Sequence, residues 1–280
     1  MKKSSAFQKI AKWYAGVIEQ PVLTSFVVLV IITVLVLGLS LPYYLHDFYN
    51  FYGQVLAEAH GMIFDIAVIG ILILWLNKSG EKRQRIKTYK DEIDDFRLWK
   101  SEEAAFRTVG NIKRLNMHKI YDLNLVNCYL TRTNLNYAIL VEANLNSADI
   151  NSSQLIESDF RYSRLNQTNF SNATLNQANL SFSYANGANF TDSFLIKAQM
   201  EKAYFIKADF TRAFLMEANM RGAYLTGADF TGANLYKADL RNAVGLTLEQ
   251  LEKARTLYLA QLDPELLEEV MQKKPQLVSK

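Results

Sequence analysis

From Leu123 to Leu240 the chain repeats every five residues without an insertion. Placing the centre of each repeat at 125, 130, 135 and onward to 240 gives 24 units. The centres are Leu fourteen times, Phe six, Met twice, Ile once and Ala once. Two residues earlier stands a small side chain in every unit but the first, where Leu123 takes the place: fifteen Ala, five Ser, two Thr and Cys128. The residue just before the centre is Asn or Asp in thirteen units. A period of five suits neither an α-helix nor a straight strand. It suits a coil of four five-residue sides, in which the large centre and the small residue two before it both point inward. Close packing then restricts the second slot to Ala, Ser, Thr or Cys beside stacked Leu and Phe. Twenty-four units make six coils, a rod ~29 Å tall at the usual strand spacing. Each buried centre contributes about 1.5–3 kcal/mol before chain entropy is charged.

The pattern, seen at its cleanest in GADFTGANLYKADLRNA at 227–243, resembles the pentapeptide repeat family. Units such as Ala143-Asn144-Leu145, Ala178-Asn179-Leu180 and Ala238-Asp239-Leu240 carry the resemblance. It implies a β-solenoid, a right-handed quadrilateral β-helix, over 121–243. The segment DEIDDFRLWKSEEAAFRTVGNIKRLN at 91–116 looks like one that precedes the repeats in some bacterial membrane-anchored members. Proline is absent between Pro42 and Pro264, so nothing interrupts the coil. Some family members are acidic rods that resemble DNA. Here 121–243 carries ten Lys plus Arg against eleven Asp plus Glu, which makes neither an anionic stripe nor a basic one, and no nucleic-acid partner is expected.

Ahead of the repeat, 22–41 is a charge-free apolar run of twenty residues, long enough to cross a bilayer as a helix. A second run, 62–76, reaches spanning length if its helix begins near Val55, giving a hairpin with spans at about 22–41 and 55–76. Lys2, Lys3, Lys9 and Lys12 precede the first run, the loop from Pro42 to Gly61 has no Lys or Arg, and six basic residues follow from Lys78 to Lys90. That asymmetry predicts a hairpin in the inner (cytoplasmic) membrane with both termini and the repeats in the cytoplasm. Asp65 lies in the second run, as a candidate intramembrane polar site; its other reading is a hydrated group near the outer interface. His46, Asp47, Glu58 and His60 do not make a metal site without further fixed ligands, so no metal and no cofactor is expected.

The expected division is a membrane hairpin at 1–77, a helical connector at 78–120, the β-helix at 121–243 and a helical cap at 244–280. In the connector Ile86, Tyr89, Ile93 and Phe96 form one apolar stripe, read as packing on the rod or as a helical dimerisation element. Ser101 with Glu102 and Glu103 predicts a new helix start, and Gly110 its end. Phe106, Val109, Ile112 and Leu115 are expected to cover the open first coil. Thr247 and Gln250 predict a capping box opening a helix from Thr247 to Leu259, followed by a second from Pro264 to Gln272.

No phosphate loop, zinc spacing or nucleophile with a His partner is present, so no catalytic residue is assigned and a non-enzyme is expected. Cys128 falls in an inward slot and His118 at the rim of the first coil. Ser153, Ser158 and Ser163 point inward, where hydroxyls bond to backbone. Residues twenty apart stack, which aligns Tyr184, Tyr204 and Tyr224 in one column and Phe194 with Phe214 on the opposite side. These strips either stabilise the rod by stacking or dock a protein partner or a second copy. Two functions follow: a membrane-tethered scaffold presenting the rod to a cytoplasmic protein, or an oligomeric membrane effector or channel regulated through its repeats.

Overall fold

The computed structural model describes residues 48–279, with positions 30, 31, 33–35, 37, 38 and 41 before them. Apart from those positions, the expected span 22–41 lies outside the described residues, as do the basic N-terminal segment, His46 and Asp47. The chain divides into two compact units, Met1–Ser79 and Gly80–Lys280. Helix α1, Phe48–Phe96, carries the second apolar run. Within it Tyr52–Phe96 is long and apolar enough to cross a membrane, the one such helix among the described residues. It exposes Met62, Ile63, Phe64, Ile71, Leu74 and Trp75.

In the second unit the five-residue period closes into a right-handed quadrilateral β-helix. Each side contributes one parallel bridge to the side twenty residues on, from Asn124 with Asn144 to Tyr224 with Val244. Every centre from Leu125 to Leu240 is at most 1% exposed, and the small residues two before them are buried as well. The centre amide donates to a carbonyl nineteen residues on, as from Leu125 N to Asn144 O at 2.7 Å, and the amide before it donates back to the previous coil, as from Asn144 N to Leu123 O at 2.8 Å. At every corner but one the next small residue's amide donates to the centre carbonyl, as from Cys128 N to Leu125 O at 3.1 Å; at Thr133 the hydroxyl donates to Leu130 O instead, at 2.7 Å. The residue two after the centre takes a left-handed φ from Asn127 to Asn242, and four of those positions are Gly187, Gly222, Gly227 and Gly232. One positive φ at the third turn position is the type II geometry, which glycine adopts without strain. Inside, Phe170, Phe190, Phe210 and Phe230 stack in a single column at 5.0, 5.0 and 5.3 Å.

The first coil is closed by α1 and by α2, Glu102–Met117. Ser101 caps α2, its hydroxyl accepting from Ala104 N at 3.2 Å. Gly110 does not end the helix: α2 runs through it to Met117, because burial of Ile112 and Leu115 outweighs the roughly 1 kcal/mol cost of an interior glycine. Phe106 does not cover the coil either; it is exposed, and Ala104 and Ala105 face inward instead. The α1 stripe is taken up by its own chain. Ile93 is buried, Ile86 and Tyr89 pack against the core, and Tyr89 stacks on His118 at 6.4 Å. Asn116 completes the end: its side chain accepts from Ile139 N and donates to Ile139 O, both at 2.8 Å, standing in for the strand a preceding coil would supply.

At the other end the expected helix from Thr247 to Leu259 is a single turn, α3, Leu248–Leu251. The coil then resumes, bridging Asn234 to Thr256 and Asp239 to Gln261, an interval of 22 residues rather than 20. The two extra residues accommodate α3 in place of one side. Gln250 joins the turn to the rod, accepting from Thr247 N at 2.9 Å and donating to Leu225 O and Ala228 O, each at 2.8 Å. Helix α4, Pro264–Lys273, and a 3-10 turn, Pro275–Leu277, finish the chain, with Leu257 N donating to Leu277 O at 2.7 Å.

Candidate interaction surface

The outer face is built by the residue before each centre, and a backbone requirement decides what can stand there. The amide just after each centre points away from the coil-to-coil ladder and needs an acceptor. In all thirteen units with Asn or Asp before the centre, that side chain accepts from it, as Asn179 Oδ1 does from Ser181 N at 3.0 Å and Asp209 Oδ1 from Thr211 N at 2.8 Å. In five further units an Asn twenty residues earlier replaces it. Asn136 accepts from Ile156 N, Asn146 from Asn166 N, Asn166 from Asn186 N, Asn176 from Ile196 N and Asn186 from Ile206 N, at 2.8 to 3.3 Å. These second asparagines release the position before the centre from its backbone duty. Three of them serve the units of Tyr184, Phe194 and Tyr204, where aromatic side chains stand, and the other two serve those of Gln154 and Arg164.

On these freed positions, and at Phe214 and Tyr224 one coil on, the rings stack. Tyr184 and Tyr204 lie 4.9 Å apart and 9° from parallel, Tyr204 and Tyr224 4.3 Å and 2°. Phe194 and Phe214 lie 4.7 Å apart at 3° on the opposite face. A hydrogen bond with Tyr224 and its proximity push the Tyr204 phenol above its ordinary value. Tyr184 is 45% and Phe194 39% exposed, whereas Tyr204, Phe214 and Tyr224 are half-buried by their neighbours.

A third aromatic column, not among those expected from the sequence, lies at the adjoining corner. Tyr162 stacks on Phe182 at 5.1 Å, and the Lys202 ammonium sits 5.8 Å from the Phe182 ring centre. Tyr162 and Phe182 both hold the left-handed turn position, so the twenty-residue spacing that aligns the tyrosines aligns them too. Charged groups elsewhere pair locally. Hydrogen bonds from Arg212 hold the Asp192 carboxyl below its ordinary range, and those from Arg241 do the same for Asp239. Water and salt screen such exposed pairs, so they add little to stability.

The remaining residues singled out in the sequence are dispersed. Asp65 lies within α1, midway along Val55–Leu76, far in sequence from the aromatic columns. Cys128 is buried, and burial pushes its thiol up to about 11, which keeps it protonated. The hydroxyls of Ser153, Ser158 and Ser163 donate to the carbonyls of Leu130, Leu155 and Phe160 at 2.6 to 2.7 Å. Among the described residues no three His, Cys, Asp or Glu side chains converge on a metal position.

The family profile described as Pentapeptide repeats matches residues 124–161, 153–192, 186–222 and 217–244. Among solved structures, a pentapeptide repeat protein from the thylakoid lumen of Arabidopsis thaliana is 31% identical, over 36% of this chain and 72% of that one, with a TM-score of 0.29. QnrB1, a plasmid-mediated fluoroquinolone resistance protein, is 19% identical in a trypsin-treated variant form, over 57% and 85% of the two chains, with a TM-score of 0.40. HetL, involved in heterocyst differentiation regulation in the cyanobacterium Nostoc sp. strain PCC 7120, is 24% identical over 50% and 76%, with a TM-score of 0.19. No curated protein matches the chain. The five-residue register, its inward centres and the matched profile together make this chain a member of the pentapeptide repeat family.

Proposed function

We propose that the chain is a membrane-tethered, non-enzymatic scaffold whose repeat domain presents the Tyr184, Tyr204 and Tyr224 column to a cytoplasmic protein. The observation that carries this reading is the exchange of backbone-serving Asn or Asp for stacked tyrosines on a rigid face. Rigid aromatic rings lose little entropy on binding and dominate hot spots. The apolar run of α1 supports the tether, and the basic residues after it support a cytoplasmic rod in the inner membrane. The test is site-specific photo-cross-linking from position 207, an exposed lysine three residues after Tyr204, in intact membranes. Tyr204→Ala with Tyr224→Ala should abolish a discrete cross-linked product while leaving the melting temperature of the rod within a few degrees. An unchanged product removes the column as the docking site.

A second reading, an oligomeric effector or channel, draws on Asp65, midway along the expected span 55–76. The mass of the full chain in lipid nanodiscs separates the two. A closed ring of four or more copies favours the channel, and a monomer or dimer favours the scaffold.

A further inference from the structure

Directly after the apolar run, α1 carries Lys78, Lys82, Arg83, Arg85, Lys87 and Lys90 against the single acid Glu81. The charge then reverses at Asp91, Glu92, Asp94 and Asp95. The two blocks are used differently. In the second, Glu92 accepts from Asn111 at 2.9 Å and pairs with Arg107 at 3.5 Å, and Asp94 pairs with Arg97. In the first, all six basic side chains are exposed, and Arg85 with Glu81 at 3.8 Å is its one ion pair among the described residues. Lys78 with Lys82 and Arg83 with Lys87 are like-charge pairs four residues apart, which destabilise a helix by a few tenths of a kcal/mol in water. Among the described residues, only the exposed Arg85–Glu81 pair offsets the repulsion in this basic block.

We propose that Lys78, Lys82, Arg83 and Arg85 form a binding surface for anionic phospholipid headgroups. This rests on the membrane reading of α1 given above. At the helical rise these four begin about 3 to 14 Å beyond Leu76, and their long side chains reach back toward the bilayer surface. Lys87 and Lys90 begin about 17 to 21 Å away, so even with their side chains turned back they stand beyond a Debye length of about 8 Å from the end of the apolar run, whereas the Arg85 guanidinium comes within it. Proximity, charge and exposure thus select four of the six. Anionic headgroups would neutralise the repulsion along α1 and hold the helix at a defined depth.

The experiment reconstitutes the full chain into nanodiscs of mixed phosphatidylcholine and phosphatidylglycerol and counts, by native mass spectrometry, the lipids retained on release. The wild type should retain phosphatidylglycerol at roughly fivefold over its bulk ratio. Changing Lys78, Lys82, Arg83 and Arg85 together to Gln should return that ratio to bulk, whereas Lys87→Gln with Lys90→Gln should keep most of the enrichment. No enrichment in the wild type, or equal loss in both variants, overturns the surface. Displacement of the retained lipid by inorganic phosphate overturns it in favour of a free anion. An alkaline carbonate wash reads the tether separately. Retention without enrichment defeats the lipid surface alone, and release of the protein from vesicles defeats the tether and the surface together.

Discussion

At the scale of single residues, the asparagines decide where other chemistry can appear. A buried or half-buried amide without an acceptor costs about 1–3 kcal/mol, and each unit has one amide that the coil ladder does not serve. The sequence pattern displays the Asn and Asp before the centres openly, but not their purpose. The second set, Asn136, Asn146, Asn166, Asn176 and Asn186, is invisible until residues twenty apart are known to stack at hydrogen-bond distance. Asn166 is the informative test, because it accepts from Asn186 N beneath the tyrosine column. Asn166→Ala should destabilise the rod by about 1–3 kcal/mol in a denaturant titration. Asn166→Asp retains an acceptor and should cost less. Equal losses in the two variants would mean that the side-chain acceptor is not what matters.

At the scale of elements, legibility depends on whether spacing or size is read. The helix start at Ser101 follows from local chemistry, and the structure has it there. Size misleads at Phe106. It points away from Ile112 and Leu115, past Val109 at the edge of the buried face, while the small Ala104 and Ala105 allow the helix to approach the coil closely. Similarly, the capping box at Thr247 marks a helix start but says nothing of length, and renewed coil pairing at Thr256 and Gln261 stops α3 after one turn. Asn116 has no signal in the sequence, since its partner at Ile139 is 23 residues away. It makes a specific demand on the end of the rod. Asn116→Ala should speed amide exchange at Ile139 while leaving Asp209, in the middle of the ladder, protected. Loss of protection at both sites would show that the end and the middle open as one cooperative unit.

For the whole molecule, the period of twenty makes length and orientation separately adjustable. Removing Arg161–Leu180 takes out one complete coil, so every later residue keeps its column. Asn186 then lies above Asn146 in place of Asn166, with its acceptor restored, while Ile196 loses Asn176. Removing Arg161–Leu165 takes out one side. The tyrosine column stays intact, because Tyr184, Tyr204 and Tyr224 all follow the cut, but it turns by a quarter relative to α2. Nearest-neighbour stability predicts that both shortened rods fold, each losing on the order of a few kcal/mol with the contacts removed. Circular dichroism and thermal melting of the full chain in nanodiscs would establish folding, and cross-linking beside the column would read the partner. If the partner depends on the column's direction from the membrane, the coil deletion should keep the cross-linked product and the side deletion should lose it. If both keep it, the partner reaches the column from any side and orientation has no role. Failure of either rod to fold would show that coupling extends beyond adjacent coils, contrary to the one-dimensional stacking that the bridges describe.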